Sequence, residues 1–565
     1  VAAVASALRA LTRWTALLIF TPLLALQLLL FLAVAVVAST FLGMVLIELL
    51  GGSAFQAAWW HDPFLMVLAL LACLVAAQAW SMKTGIPLPW HARLALDSHG
   101  SARFATRRER AALQDDGAGS GGSAGAGLLI GRDAETGRLL RYAGPAHLLT
   151  LAPTRSGKGV GTVIPNLLVA ERSVLCIDPK GENARIAGEA RRRFGPVHVL
   201  DPFGVTGLPS AAYNPLGRLR ADSPDLGEDT ASLAEALVID APGQAGEAHW
   251  NEEAKALLSG LILFAVCHED EDRRTLAAVR EYLTFPPERF RELLGLMQGS
   301  DAAGGLVARA ANRHLGKSDR EAAGVLSSAQ RHTHFLDSPR LVASTARSDF
   351  SFASLRHEVA SVFLVLPPNR LDAYARWLRL LVSQALAEIA RDAEAGQLGQ
   401  AAAGGASPQR EPTLFLLDEF AALGRLEAVE RAMGLMAGYG LQLWPILQDM
   451  SQLRALYGAR ASTFVANAGV LQAFGVNDHE TARWLSQLMG QETTAYETTS
   501  HRPGDPPSIS LHLTGRDLLT PDEVMRLPDT LQLLRVQGQP MILAQKLRYF
   551  ADPEFGGLYT APQGQ

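Results

Sequence analysis

The residues best fitted by type and spacing to do chemistry are Thr154-Arg155-Ser156-Gly157-Lys158-Gly159-Val160-Gly161. Small residues surround one lysine. An apolar run, His147 to Leu151, leads in, and a helix-like run, Val160 to Val169, leads out. Strand, glycine-rich loop, then helix is the order a phosphate cradle needs. Glycines let backbone N–H groups converge on phosphate oxygens, the helix N-terminus adds its positive end, and the lysine reaches the terminal phosphates. The segment therefore predicts a user of nucleoside triphosphates. It departs twice from the pattern G-x-x-x-x-G-K-[ST]: Ala152 takes the first glycine position and Gly159 the hydroxyl position, so no side chain at 159 can ligate Mg²⁺. Taken alone, it also reads as an ordinary strand–turn–helix corner with a surface lysine.

A second segment supports the phosphate reading. Thr413 to Leu417 is an apolar strand that runs into Asp418-Glu419. Behind such a strand, in a chain with a phosphate loop, the aspartate holds Mg²⁺ and the glutamate orients and deprotonates the attacking water. Ser173 to Asp178 competes for the role but lacks the second carboxylate. It reads as a further strand of the same sheet, with Asp178-Pro179-Lys180-Gly181-Glu182 as a loop at its C-terminal end, where ligand-contacting loops collect. Asp178, Lys180 and Glu182 also suit a plain turn around Pro179 and Gly181.

The elements that must position these residues follow from pattern. Short apolar runs recur at 173–177, 197–200, 360–366, 413–417, 441–447 and 469–475, mostly separated by helical patterns. This alternation predicts a mostly parallel sheet with helices on both faces. From about 222 to 345 the chain is rich in Ala, Leu, Glu and Arg with helical periodicity, as in Thr230 to Val238, Glu252 to Cys267 and Arg320 to Phe335. That interval reads as an all-helical insertion. Asp115 to Gly127 reads as a flexible linker, and Gly396 to Pro412 as a second low-complexity loop.

The 565 residues leave room for a membrane segment and two or three domains, and the net charge of −5 excludes a globally basic nucleic-acid binder. The three cysteines, Cys73, Cys176 and Cys267, are far apart and show neither metal nor disulfide spacing. Trp14 to Ile47 and Pro63 to Met82 carry no charged residue, each reaching the ~20 residues that span a bilayer. Arg9 and Arg13 precede the first run and Lys83, Arg93, Arg103, Arg107, Arg108 and Arg110 follow the second, whereas Glu48 to Asp62 has no Lys or Arg. The positive-inside rule then puts both termini in the cytoplasm.

Taken in order, APTRSGKGVG (152–161), DPKGE (178–182), NPL (214–216), LDEF (417–420) and QDMSQL (448–453), with HGSARF (99–104) and LLTPDE (518–523), resemble the TraG-type coupling proteins of conjugation and type IV secretion. The resemblance runs from about His99 to Pro553, and the spelling with Gly159 also occurs in that family. It implies an α/β fold: a RecA-like P-loop NTPase domain (128–221 and 346–565) with an all-alpha domain (222–345) inserted. Before it come a membrane anchor with two transmembrane helices (1–97, spans about 14–47 and 63–82) and a juxtamembrane segment and linker (98–127). It implies an ATPase of the bacterial inner membrane, a homo-hexamer with a central pore, that links the relaxase-bound single-stranded DNA of the relaxosome to the secretion channel. ATP and Mg²⁺ are the implied cofactors. Carried over, Thr154 to Gly161 wrap the phosphates, Lys158 holds the β/γ-phosphates, Asp418 holds Mg²⁺, Glu419 activates water and Gln448 is a polar sensor of the γ-phosphate.

Other residues stay open at this stage. Arg347, Arg155 and Arg376 are candidates for an arginine acting across a subunit boundary. His332 and His334 read as ordinary residues rather than metal ligands, and Trp250, Phe350 and Phe352 as core or interface. Asp552 to Gln565 holds no acidic run, so recruitment through an acidic tail is not expected. A DNA translocase of the FtsK kind and a non-hydrolysing membrane scaffold are the alternative functions.

Overall fold

The apolar runs form strands whose side chains alternate between two cores. In chain order the strands are β1 (Leu128–Asp133), β2 (Leu139–Tyr142), β3 (His147–Leu151), β4 (Val174–Asp178), β5 (Val197–Leu200), β6 (Ser361–Val365), β7 (Thr413–Leu417), β8 (Leu441–Leu447), β9 (Ala468–Ala473), β10 (Gln491–Ser500), β11 (Ser508–Asp517), β12 (Leu531–Val536) and β13 (Ile542–Gln545). Leu149 and Leu151 of β3, Leu175 and Ile177 of β4, and Phe415 and Leu417 of β7 enter one core. Their neighbours Leu148, Val174, Cys176, Leu414 and Leu416 enter the other. A period of two with both faces apolar is what a sheet covered on both sides requires.

The computed structural model describes residues 97–114, 127–239, 245–403, 411–435, 437–500 and 508–561. The two runs expected to cross a membrane, and nearly all of the expected linker, lie outside these residues. Among the described residues no helix is long and apolar enough to cross a membrane.

Eleven strands make one sheet in the order β2-β1-β13-β12-β9-β3-β8-β7-β4-β6-β5. From β9 to β5 all pairs are parallel, with β3 between β8 and β9 and β4 between β7 and β6. The other end is antiparallel, β12 pairing with β9 and β13, and β1 with β13 and β2. Those four strands were not among the runs singled out from sequence, because they are short and carry Gln, Arg or Gly among their apolar residues.

Helices cover both faces. On one side lie α1 (Ile164–Val169) and α2 (Glu182–Arg191), packed through Leu167, Leu168, Ala184 and Ala187. Between β5 and β6 every described element is helical: α3 (Leu226–Leu237), α4 (Ala248–His268), α5 (Leu276–Leu283), α6 (Pro287–Gln298), α7 (Ala302–Leu315), α8 (Asp319–Thr333) and α9 (Pro339–Ser344), with short 3₁₀ turns at some of the joints. Their apolar residues share one core with the other sheet face and with α10 (Leu371–Ala403), through Leu258, Leu261, Trp377 and Leu381 among others. Helix α10 corrects the sequence expectation for 396–412: it continues to Ala403. Gln397 to Ala403 is mostly Ala, Gln and Leu, strong helix formers, which a reading based on low complexity overlooks. Two more helices, α11 (Glu427–Leu435) and α12 (Met450–Tyr457), follow β7 and β8.

Residues 101–492 and 515–565 form one compact unit, which holds the eleven-stranded sheet. The described residues 97–100, 493–500 and 508–514 belong to a second unit. In its described part, Thr493 N–H donates to Gly100 O (3.1 Å) and the rings of Tyr496 and His512 stack at 5.3 Å.

Candidate nucleotide site

Strand β3 is wholly buried, and the chain leaves it through Ala152 into an open loop. Gly157 has φ +93°, a left-handed conformation that suits glycine. Arg155 takes φ +65°, which costs a non-glycine residue on the order of 1 kcal/mol. From Gly159 to Val163 the backbone makes one wide π-type turn, with the Ile164 N–H reaching Gly159 O, before α1 begins. Such turns widen the entry to a helix and recur at functional sites. A methyl group built on Gly159 meets nothing within 4 Å, so the position expected to lack a hydroxyl faces open space.

The loop is bolted to the antiparallel edge. Asn166 on α1 accepts from Leu129 N–H (2.8 Å) and donates to Leu129 O (2.9 Å), so one amide completes both backbone bonds of a β1 residue. Beneath, a chain of buried polar groups crosses the sheet: Trp444 Nε1 donates to Thr150 Oγ1 (2.8 Å), Thr150 to Gln472 Oε1 (2.8 Å), and Gln472 Nε2 to Gln532 Oε1 (2.6 Å). His147 fills a gap in the β3–β8 ladder, accepting from Leu443 N–H at Nδ1 and meeting Ala432 O at Nε2, both at 3.1 Å. Burial holds this imidazole below its ordinary pKa, so it sits neutral in those bonds.

The lysine and the carboxylates predicted from sequence come together. Lys158 Nζ lies 2.5 Å from Glu419 Oε1 and 3.1 Å from Asp418 Oδ1. Gln448, just past β8, donates from Nε2 to the other Glu419 oxygen at 3.2 Å. Three adjacent parallel strands, β3, β8 and β7, thus deliver four side chains to one point at their C-terminal ends. Glu419 holds φ +49°, and its N–H donates to Asp418 Oδ1 (2.9 Å), a strained turn that splays the two carboxylates. Burial pulls the Lys158 ammonium down, but Asp418 and Glu419 outweigh it and hold its pKa above the ordinary lysine value. Asp418 is pushed up by burial, which Lys158 only partly offsets. Both directions describe one nearly dry ion pair: the lysine stays charged, and the aspartate is short of positive charge.

A divalent cation fits that shortage. Among the described residues no cluster of three or more His, Cys, Asp or Glu is placed to hold a metal by itself. Mg²⁺ is normally held by one or two carboxylates together with phosphate oxygens and water, and Asp418 beside Glu419 provides that number.

Asp178 ends β4, which pairs with β7 rather than with β3, so it stands next to Asp418 and not beside the phosphate loop. Burial raises its pKa to about 6, against the pull of the Ala184 N–H that it accepts at 2.8 Å. An acid that binds its proton more tightly when folded contributes stability in full below about 3.8, and loses it as pH rises through about 6. Asp178→Asn should flatten that limb of a plot of unfolding midpoint against pH. An unchanged slope between pH 4 and pH 6 would remove Asp178 as its cause.

The remaining candidates fall elsewhere. Arg376 is half-buried and meets His332 Nδ1 (3.3 Å), while His332 Nε2 meets Asn251 (3.0 Å). Arg347 pairs with Asp349 (3.0 Å), and His334 with Asp337 (2.9 Å). Phe350 and Phe352 pack on Tyr213, and Trp250 lies against Gly324 of α8. Arg155 alone among the named arginines sits on the loop itself, exposed. Sequence reasoning missed Lys546, whose ammonium donates to Ser156 O at 2.8 Å. No local signal marks it, since it lies outside every motif and far along the chain from the loop.

A profile described as type IV secretory system conjugative DNA transfer matches residues 110–563. The chain belongs to this family. Within the family it is 31% identical over 510 residues to the conjugal transfer protein TraG of Escherichia coli, covering 82% of this chain and 78% of that one. It is 30% identical over 433 residues to the protein VirD4 of Agrobacterium fabrum, covering 74% of this chain and 61% of VirD4. Among solved structures, the plasmid coupling protein TrwB in complex with the ATP analogue ADPNP superposes with a TM-score of 0.58 at 17% identity, covering 80% of this chain and 95% of that one. TrwB in complex with ADP and Mg²⁺ gives 0.56 at 18%, covering 79% and 93%. At such identities the likeness is one of fold: a mixed α/β domain with a large parallel sheet. The family accounts for the TraG-type resemblance read from the motifs.

Proposed function

We propose that this chain is the coupling ATPase of a conjugative type IV secretion system, anchored in the bacterial inner membrane by the runs at 14–47 and 63–82 with both termini cytoplasmic. One observation carries the hydrolytic part: Lys158 from the glycine loop, Asp418-Glu419 from the end of β7 and Gln448 from the end of β8 converge within hydrogen-bonding distance. In this reading residues 128–221 and 346–565 bind the nucleotide, and the all-helical interval 222–345 recruits substrate. The chain works as a ring, a hexamer by analogy with the family, on relaxase-bound single-stranded DNA at the secretion channel.

MgATP supplies the phosphoanhydride bond whose cleavage drives the work. The N–H groups of Thr154 to Gly161 wrap phosphate oxygens, and the Lys158 ammonium is the cation for the β- and γ-phosphates. Asp418 is the carboxylate for Mg²⁺. Glu419 takes the proton of the attacking water on a carboxylate oxygen, while Gln448 fixes the plane of that carboxylate. Lys158 and water thus compete for Glu419. Phosphate that draws the ammonium toward the loop frees Oε1 to act as base, so binding itself arms the site.

The test is transfer frequency in a mating assay with Lys158→Ala at wild-type membrane levels. Loss of transfer to background is expected. Transfer at the wild-type rate would sink the motor and leave a scaffold.

A further inference from the structure

Beyond β13 the chain runs as a strap along the outside of the phosphate loop. Lys546 Nζ donates to Ser156 O (2.8 Å) and lies 5.0 Å from the centre of the Phe474 ring. Its own N–H is tied to Thr530 O (2.9 Å), which fixes where its stem begins. Further on, Tyr549 N–H donates to Val160 O (3.4 Å), and a methyl group on Gly161 would sit 2.8 Å from Leu547 O. Ser156 is gripped from the far side as well: its N–H and its hydroxyl both donate to Pro153 O, at 3.2 and 2.6 Å, and a methyl group on Gly475 would come within 2.8 Å of its Cβ.

The carbonyl that Lys546 holds belongs to the peptide between Ser156 and Gly157, immediately before Lys158. A trans peptide is planar, with its C=O and N–H pointing opposite ways. Holding Ser156 O toward the strap therefore aims the Gly157 N–H away from it. Glycine at a positive φ lets such a plane turn at little cost, so a contact from outside must select one orientation. We propose that Lys546 is a positioning residue for the phosphate cradle, its ammonium fixing the Ser156–Gly157 peptide so that the Gly157 N–H faces the bound phosphate. This rests on the nucleotide reading of the site. The rival role is packing alone, the lysine stem lying on Phe474, and methionine would serve that equally well.

The experiment is steady-state ATP hydrolysis by the full chain in detergent, comparing wild type with Lys546→Met, Lys546→Gln and Lys546→Arg, each with its thermal midpoint. Removing a hydrogen bond from a charged donor is expected to raise KM for ATP about tenfold in the Met and Gln variants, with the midpoint unchanged. Turnover should hold within about threefold, and Arg, which donates to the same carbonyl, should restore KM to within about twofold of wild type. A KM near wild type in both the Met and Gln variants overturns the proposal. So does an Arg variant as impaired as Met, or a loss that only follows a fallen midpoint. A wild-type chain that neither binds nor hydrolyses ATP would instead overturn the nucleotide reading itself, and this proposal with it.

Discussion

Glu419→Gln should lower ATP turnover about 10³-fold, the scale on which a positioned general base contributes. It should leave ATP affinity unchanged or tighter. Glutamine keeps the shape of the side chain and a partner for Gln448, but removes the proton acceptor and one of the two negative charges on Lys158. An ammonium relieved of that charge is freer for phosphate. Lys158→Ala should do the reverse and lose binding first. The two variants therefore separate on a plot of kcat against dissociation constant, measured by turnover and by titration with a fluorescent ATP analogue. A Glu419→Gln protein that turns over within about tenfold of wild type would mean that another group takes the proton.

Arg191→Met should be the most destabilising single change away from the site. This guanidinium is fully buried at the end of α2, and burial lowers its pKa to about 10. It donates to Ser361 Oγ (2.8 Å), Ala170 O (2.5 Å), Leu167 O (3.4 Å) and Arg172 O (2.6 Å), and stacks on Phe194 at 4.9 Å. It is the common partner of three carbonyls where α1 ends and β4 is about to begin. Methionine fills much of the volume but leaves Leu167 O and Arg172 O without this donor, while Ala170 O keeps only the Arg172 N–H (3.0 Å), a loss of about 3–5 kcal/mol. Urea unfolding followed by tryptophan fluorescence reads it. A shift below about 1 kcal/mol would mean that water reaches the carbonyls when the arginine is gone.

What was legible in the sequence is what is local. The loop at 154–161 carries its function in consecutive residues, and Asp418-Glu419 and Gln448 stand directly after runs so apolar that only buried parallel strands suit them. That they meet at one site was implied by the family resemblance, not by the strand pattern. The strand order itself was not legible. Nothing in Val174 to Asp178 says that two strands from far later in the chain separate it from β3. Strands β1, β2, β12 and β13 mix Gln, Arg and Gly with apolar residues, so their alternation is weak. Nothing in the sequence sets Arg191 apart from the other arginines, and Lys546 carries no pattern at all. Their roles arise from backbone carbonyls, which a sequence does not display.

The sheet order has a consequence for how the protein is born. Strands β12 and β13 lie between β9 and β1, and the strap that follows them closes on the loop. A ribosome makes the chain at roughly 5–20 residues per second, so it has extruded Gln448 on the order of ten seconds before Lys546. During that interval every residue assigned to the nucleotide exists, yet β1 lacks β13, β9 lacks β12 and the cradle lacks its outer brace. Unpaired strand edges are sticky. The nascent protein is thus both idle and vulnerable until its last strands arrive. Folding helpers that shield those two edges should govern how much folded protein a cell obtains, and a chain interrupted after residue 480 should be cleared rather than accumulate.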